Sequence, residues 1–334
     1  MRTRTKHTAS TRWISKGLVN VMVQYFKKRG LSIIDLLNTV FIFVVFIFYL
    51  VSLPRNPYIF LPVIVLGFSL TLVWLAVFLR KSQKAGTPQT FWGKLGKAYL
   101  DFYPLIFMFV IFESFFMILP YFNSHDYDRE LAQMDYHMFG VYPTVWIEQW
   151  VRPWLTDLLY LVYFIYYPFP LFILVYLYRK REFTALDRSV FILLVVNYGA
   201  YITYFFVPAM GPRFYEPVMQ LQNKALNGIF LAVPIRDFIH IFEPNKFDVF
   251  PSLHIATSLT TLIIMARYNK KMFLIFIPFI IGILVAVIYC RFHYVVDVFA
   301  GIVWTVIAVS LSGRYYDKRI KGRLTPYCKT ENNV

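Results

Sequence analysis

The chain has 334 residues, 58% of them hydrophobic and 20% aromatic, with a formal net charge of +16. That composition excludes an ordinary soluble domain and predicts an all-α fold, a polytopic membrane bundle of about eight transmembrane helices. The lysines and arginines lie in short stretches between apolar runs, as the positive-inside rule requires, so no nucleic-acid-binding domain is inferred from the charge.

Residues 1–32 form a basic tail (Arg2, Arg4, Lys6, Arg12, Lys16, Lys27, Lys28, Arg29), read as uncleaved and cytoplasmic. Within it, apolar residues at helical spacing from Trp13 to Phe26 predict an interfacial helix. Residues 33–98 hold two N-terminal spans, 33–53 and 58–79, each long enough for a hydrocarbon core of about 30 Å, and a basic cytoplasmic loop, 80–97. A third span, 100–121, carries Asp101 and Glu113, read as a headgroup-level carboxylate and a helix–helix hydrogen bond. Residues 123–153 alternate Asp126, Asp128, Glu130, Asp135 and Glu148 with aromatics and read as one or two interfacial helices on the outer surface.

The fourth span, 155–178, should kink at Pro168 and Pro170, and the fifth covers 189–207. Residues 208–250 are then read as a long polar loop, a usual place for function. The sixth helix begins at Pro251 and ends near Arg267; the seventh covers 272–289 and the eighth 293–311, and a basic tail occupies 314–334. Placing both termini in the cytoplasm puts the basic connections inside and the acidic ones outside. Cys290 and Cys328 then fall on opposite sides, so no disulfide is expected between them, and their spacing suits no metal.

This topology gathers four remote segments at the outer face: Gly211-Pro212-Arg213, Pro251-Ser252-Leu253-His254, Arg291, and His293 with Asp297. A proline at the first helical position leaves backbone N–H groups free, and with the Ser252 hydroxyl they can bind a phosphate beside His254. Asp297, four residues after His293, would share a helix face with it, hold its Nδ1–H and leave Nε2 as a nucleophile. Arg213 and Arg291 offer planar, permanently charged forks for phosphoryl oxygens. Taken singly, each also reads as a cap, a satisfied histidine or a snorkelling arginine. Together they point to phosphoryl transfer.

On these motifs, residues 99–313 resemble the type 2 phosphatidic acid phosphatase superfamily. Pro251 to His254 is similar to its second motif with Leu253 in place of glycine, Arg213 to the arginine of the first, and His293 and Asp297, followed by Phe299-Ala300-Gly301, to the end of the third. The resemblance implies a six-helix core and a metal-independent, cofactor-free lipid phosphatase or phosphotransferase. In it His293 forms a phosphohistidine, His254 is the acid and base, Asp297 orients His293, and Arg213 and Ser252 bind phosphate. The upstream lysine of the first motif has no counterpart, and Ala286 and Val287 stand where Ser-Arg opens the third, which makes Arg291 the candidate substitute.

The form of residues 207–215 and the segment 135–140 resemble the inositol phosphorylceramide synthase branch, which implies a lipid phosphate donor and a lipid alcohol acceptor. Two other readings stand beside this one. The first is a metal site of His254, His293 and Asp297, which chelators would reveal; the second is a non-catalytic lipid transporter or lipid-binding scaffold, in which His293→Ala would change no turnover.

Overall fold

The computed structural model describes residues 32–58, 60–82, 91–242 and 246–320. The predicted interfacial helix around Trp13 and the tail with Cys328 lie outside them. Among the described residues every regular element is helical.

Helix α1 (Ile33–Ser52) opens on a reciprocal cap: the Asp35 N–H donates to Ser32 Oγ at 3.1 Å, and the Ser32 N–H to Asp35 Oδ2 at 2.9 Å. It packs on α2 (Leu61–Ser82), which packs on α3 (Phe91–Glu113). The start of α3 makes part of the expected 80–97 loop helical, because Lys94, Leu95, Lys97 and Ala98 are helix formers that outweigh Gly93 and Gly96. Its end at Glu113 falls short of the expected 121. There the chain breaks into the turns Phe115–Met117 and Leu119–Phe122, with Pro120 in the first turn of the second.

Helix α4 (Asp128–Phe139) ends at Gly140, whose φ of 70° terminates it. Helices α5 (Pro153–Ile165) and α6 (Phe169–Arg179) meet at a 46° bend around Pro168, where the kink is predicted. Helix α7 (Phe183–Phe206) is the central span, 72% buried along its most apolar window. Helix α8 (Ala232–Phe242) lies in the stretch expected to be loop. Helices α9 (Leu253–Tyr268), α10 (Lys270–Tyr289) and α11 (Val295–Tyr315) complete the bundle, with α9 packed among α6, α7, α10 and α11.

Among the described residues six helices are long and apolar enough to cross a membrane, and the bent pair α5–α6 makes up to seven. The expected span that falls short is the sixth, α9, which has only 16 residues. It is packed among four other helices, buries Thr257, Ser258, Thr260 and Thr261, and exposes Ile263 further along. At the α7–α11 contact, Gly199 makes room for Trp304: a Cβ there would come within 2.0 Å of the indole, whose Nε1 donates to the Val196 carbonyl at 2.8 Å.

Candidate active site

Helices α7 and α10 run towards one end of the bundle and α9 and α11 away from it, so the turns between them meet there. His293 lies in one of these turns, ahead of α11, where Tyr294 is the N-cap and Asp297 Oδ2 accepts the Tyr294 N–H at 2.7 Å. The expected sharing of a helix face is therefore replaced by a capping turn, which leaves His293 Nδ1 3.6 Å from Asp297 Oδ2. Nδ1 lies closer to the Val249 carbonyl, at 3.1 Å. With the Nδ1 proton donated there, the Nε2 lone pair faces His254 Nδ1 at 2.9 Å. Asp297 Oδ1 is buried with no hydrogen-bond partner among the described residues.

Helix α9 starts at Leu253 with Ser252 as its N-cap, so Pro251 precedes the cap and does not occupy the first helical position. The Ser252 N–H donates to the Asp297 carbonyl at 3.1 Å, which joins the starts of α9 and α11. Ser252 Oγ and His254 Nε2 are buried without partners among the described residues. The His254 ring lies against Tyr163 and Tyr166, at centroid distances of 4.5 and 4.4 Å. Tyr163 stacks on Phe292 at 4.1 Å, and the Arg213 guanidinium lies 4.2 Å from the Phe292 centroid. One aromatic column thus connects Arg213 to His254.

Arg213 reaches the site because Gly211, at φ 91°, lets its loop press on the 291–293 turn; a Cβ there would meet the Phe292 carbonyl at 2.6 Å. Nε and Nη1 of Arg213 are buried with no partner among the described residues. A guanidinium whose inner nitrogens are shielded from water with unmade hydrogen bonds suits an anion. Burial holds the His293 imidazole at about 3, far below its ordinary range, with Arg213 adding to the effect and the Val249 bond opposing it. Burial also lifts Asp248 to about 6 against the opposing charge of Arg213.

Five of the sequence-predicted residues, His293, His254, Asp297, Arg213 and Ser252, thus belong to one cluster. Arg291 is engaged elsewhere: at φ 64° its Nη2 donates to Glu148 Oε1 and to the Lys224 carbonyl. Glu148 Oε2 also accepts the N–H groups of Asn223 and Lys224, at 3.0 and 3.3 Å, so Arg291 completes a latch across three segments. Among the described residues no three His, Cys, Asp or Glu side chains are grouped to hold a metal ion.

Sequence reasoning missed the acidic side chains that hold these turns. Asp128 accepts the N–H groups of Met210 and Gly211, at 2.8 and 2.7 Å, and the Tyr294 hydroxyl at 3.0 Å. Asp135 accepts those of Val295 and Val296, at 2.8 and 2.9 Å. Asp157 accepts four, from Ile229 to Ala232, at the start of α8. Burial raises the Asp128 carboxyl to about 7 and also raises Asp135, with the backbone donors opposing in both. The available signal was spacing, because Asp128 and Asp135 are two helical turns apart and share a face of α4.

A family model described as the PAP2 superfamily matches residues 129–311, more than half of the chain and every residue of the cluster. A PA-phosphatase related-family protein of Dictyostelium discoideum is 34% identical over 127 residues, which is 34% of this chain and 22% of that protein. Phosphoinositol dihydroceramide synthase of Bacteroides thetaiotaomicron is 30% identical over 151 residues, 42% of this chain and 50% of that enzyme. The chain therefore spans at most half the length of either relative. No solved structure matches it.

Proposed function

The chain belongs to the PAP2 superfamily, and from that premise we propose that it is a membrane-embedded enzyme that transfers the phosphoryl group of a lipid phosphate through a phosphohistidine on His293. One observation carries the reading: two buried imidazoles lie 2.9 Å apart beside Arg213, whose Nε and Nη1 have no hydrogen-bond partner among the described residues.

The His293 Nε2 lone pair forms the N–P bond while the P–O bond opposite breaks, and His254, which must begin this step as the imidazolium, gives a proton to the departing oxygen and is left neutral. In-line attack puts that oxygen on the far side of phosphorus from Nε2, so the contact between the two rings has to open to admit phosphorus. The Val249 carbonyl holds the His293 tautomer, Asp297 stabilises the charge formed on the ring, and Arg213 with the Ser252 hydroxyl binds the equatorial oxygens. In the second step His254 takes the proton of the acceptor, which attacks phosphorus and frees His293. Water as acceptor gives a phosphatase. A lipid alcohol gives a transferase, the reading that the relative named phosphoinositol dihydroceramide synthase supports. In this reading residues 99–313 form the catalytic membrane domain, the two N-terminal helices before it are an addition, both termini are cytoplasmic and the site faces outward. Arg291 acts through its latch to Glu148 and does not bind phosphate directly.

The test is purified protein in liposomes with a panel of phospholipid donors, with and without ceramide or diacylglycerol. Free phosphate identifies the phosphatase, and a new phospholipid without free phosphate the transferase. Acid-labile label from the donor phosphate should appear on the protein and vanish in His293→Ala. Inertness towards every donor would overturn the proposal.

A further inference from the structure

We propose that Asp128 is a positioning residue that sets the phosphate-binding fork of Arg213, an inference that rests on the reading of Arg213 as an oxyanion ligand. Asp128 stands in the first turn of α4 and is fully buried. A carboxylate there ordinarily receives the N–H groups of its own helix. Both oxygens of Asp128 instead reach another segment, Oδ2 to the Met210 N–H and Oδ1 to the Gly211 N–H. Two consecutive donors on one carboxylate fix the plane of the intervening peptide. The same loop is held again by the Tyr127 N–H on the Pro208 carbonyl, at 3.0 Å.

From Gly211 to Arg213 there is little slack. Pro212 intervenes with its φ locked by the ring, and Gly211 sits in a positive-φ conformation pressed on the Phe292 carbonyl. The peptide that Asp128 orients therefore determines where the guanidinium emerges over Phe292. The Tyr294 hydroxyl, on the residue after His293, donates to the same Oδ1. A single carboxylate thus references the arginine loop to the histidine turn, and it lies outside the cluster.

The experiment uses the full chain in detergent and reads inorganic phosphate affinity beside lipid-phosphate turnover. Asp128→Asn exchanges an acceptor oxygen for an amide that confronts a backbone N–H. It should weaken phosphate binding tenfold or more, on the order of a lost charge-assisted bond, and raise KM by a larger factor than it lowers kcat. In an Arg213→Ala background the same change should lower residual turnover by no more than about twofold, the non-additivity expected of residues acting as a unit. Glu130→Gln, on the same helix, should leave both readouts unchanged. Pro212→Gly loosens the lever without touching the carboxylate and should also weaken phosphate binding, which keeps the test decisive if Asp128→Asn does not fold.

Equal losses in both backgrounds, or wild-type phosphate affinity in folded Asp128→Asn or Pro212→Gly, would overturn the positioning role while leaving the enzyme reading intact. A wild-type protein that neither binds phosphate nor turns over any donor would sink both.

Discussion

At the scale of single residues, Arg213 and His293 carry opposite electrostatic demands. Arg213 is a half-buried side chain whose Nε and Nη1 are buried with no hydrogen-bond partner among the described residues. Arg213→Ala should lower turnover roughly a hundredfold to a thousandfold, the cost of losing a transition-state donor. Arg213→Lys keeps the charge but loses the fork and the stacking on Phe292, and steady-state assays should place it between wild type and alanine. His293, in contrast, is held neutral: its folded pKa of about 3 lies below the 6.5 of a free imidazole. The sign follows from the unfolded chain binding the proton more readily. The contribution to stability is complete above pH 6.5 and is lost as pH falls towards 3, at about 1.4 kcal/mol per unit. Denaturant midpoints of His293→Asn should therefore fall less steeply than wild type between those limits. An acid limb in the rate profile near neutral pH would belong to another group.

At the scale of elements, the site depends on how closely the starts of α9 and α11 approach. Gly301 in α11 faces the first turn of α9, where a Cβ would lie 2.7 Å from the Ser252 carbonyl and 3.3 Å from Ile255 Cβ. A backbone carbonyl cannot swing aside, so Gly301→Val should displace Ser252 and His254, lower turnover at least tenfold and cost about 1–3 kcal/mol in stability. Gly282→Ala meets only the Val162 side chain at 3.2 Å and Gly67→Ala meets nothing within 4 Å, so turnover and melting temperature should rank the three in that order of severity.

Legibility of the site follows the same physics. Polar side chains at the ends of apolar runs stand out because charge there is costly, which is how His254, His293, Asp297 and Arg213 were readable. Arg291 gives the same signal, yet its partner Glu148 is 143 residues away in sequence and only the fold joins them. Asp128 and Asp135 were not readable as clamps, because acidic residues in an amphipathic stretch look like a solvated face until their backbone donors are known. Helix α8 was hidden for a related reason, since Arg236, Asp237 and His240 lend a loop-like polarity to a segment whose Ile239 is buried.

At the scale of the whole molecule, the composition already dictated an all-helical membrane bundle, but the count of spans depended on what surrounds each helix, as the short α9 illustrates. The direction of the bundle is testable through two exposed positions. Gln133 lies on α4 near the candidate site, whereas Lys271 follows α9, about 24 Å of helix further along at about 1.5 Å per residue. The basic connections, including Lys270 and Lys271, argue for a cytoplasmic location of that second end. In a Cys328→Ser background, a membrane-impermeant maleimide applied to right-side-out vesicles should label Gln133→Cys at once and Lys271→Cys only after permeabilisation. Cys290 can remain, because it is buried and burial pushes its thiol up, leaving little reactive thiolate. The reverse labelling pattern would leave the chemistry of the two histidines untouched but would make the cytoplasmic leaflet the source of substrate, and the inference from the basic connections would fall.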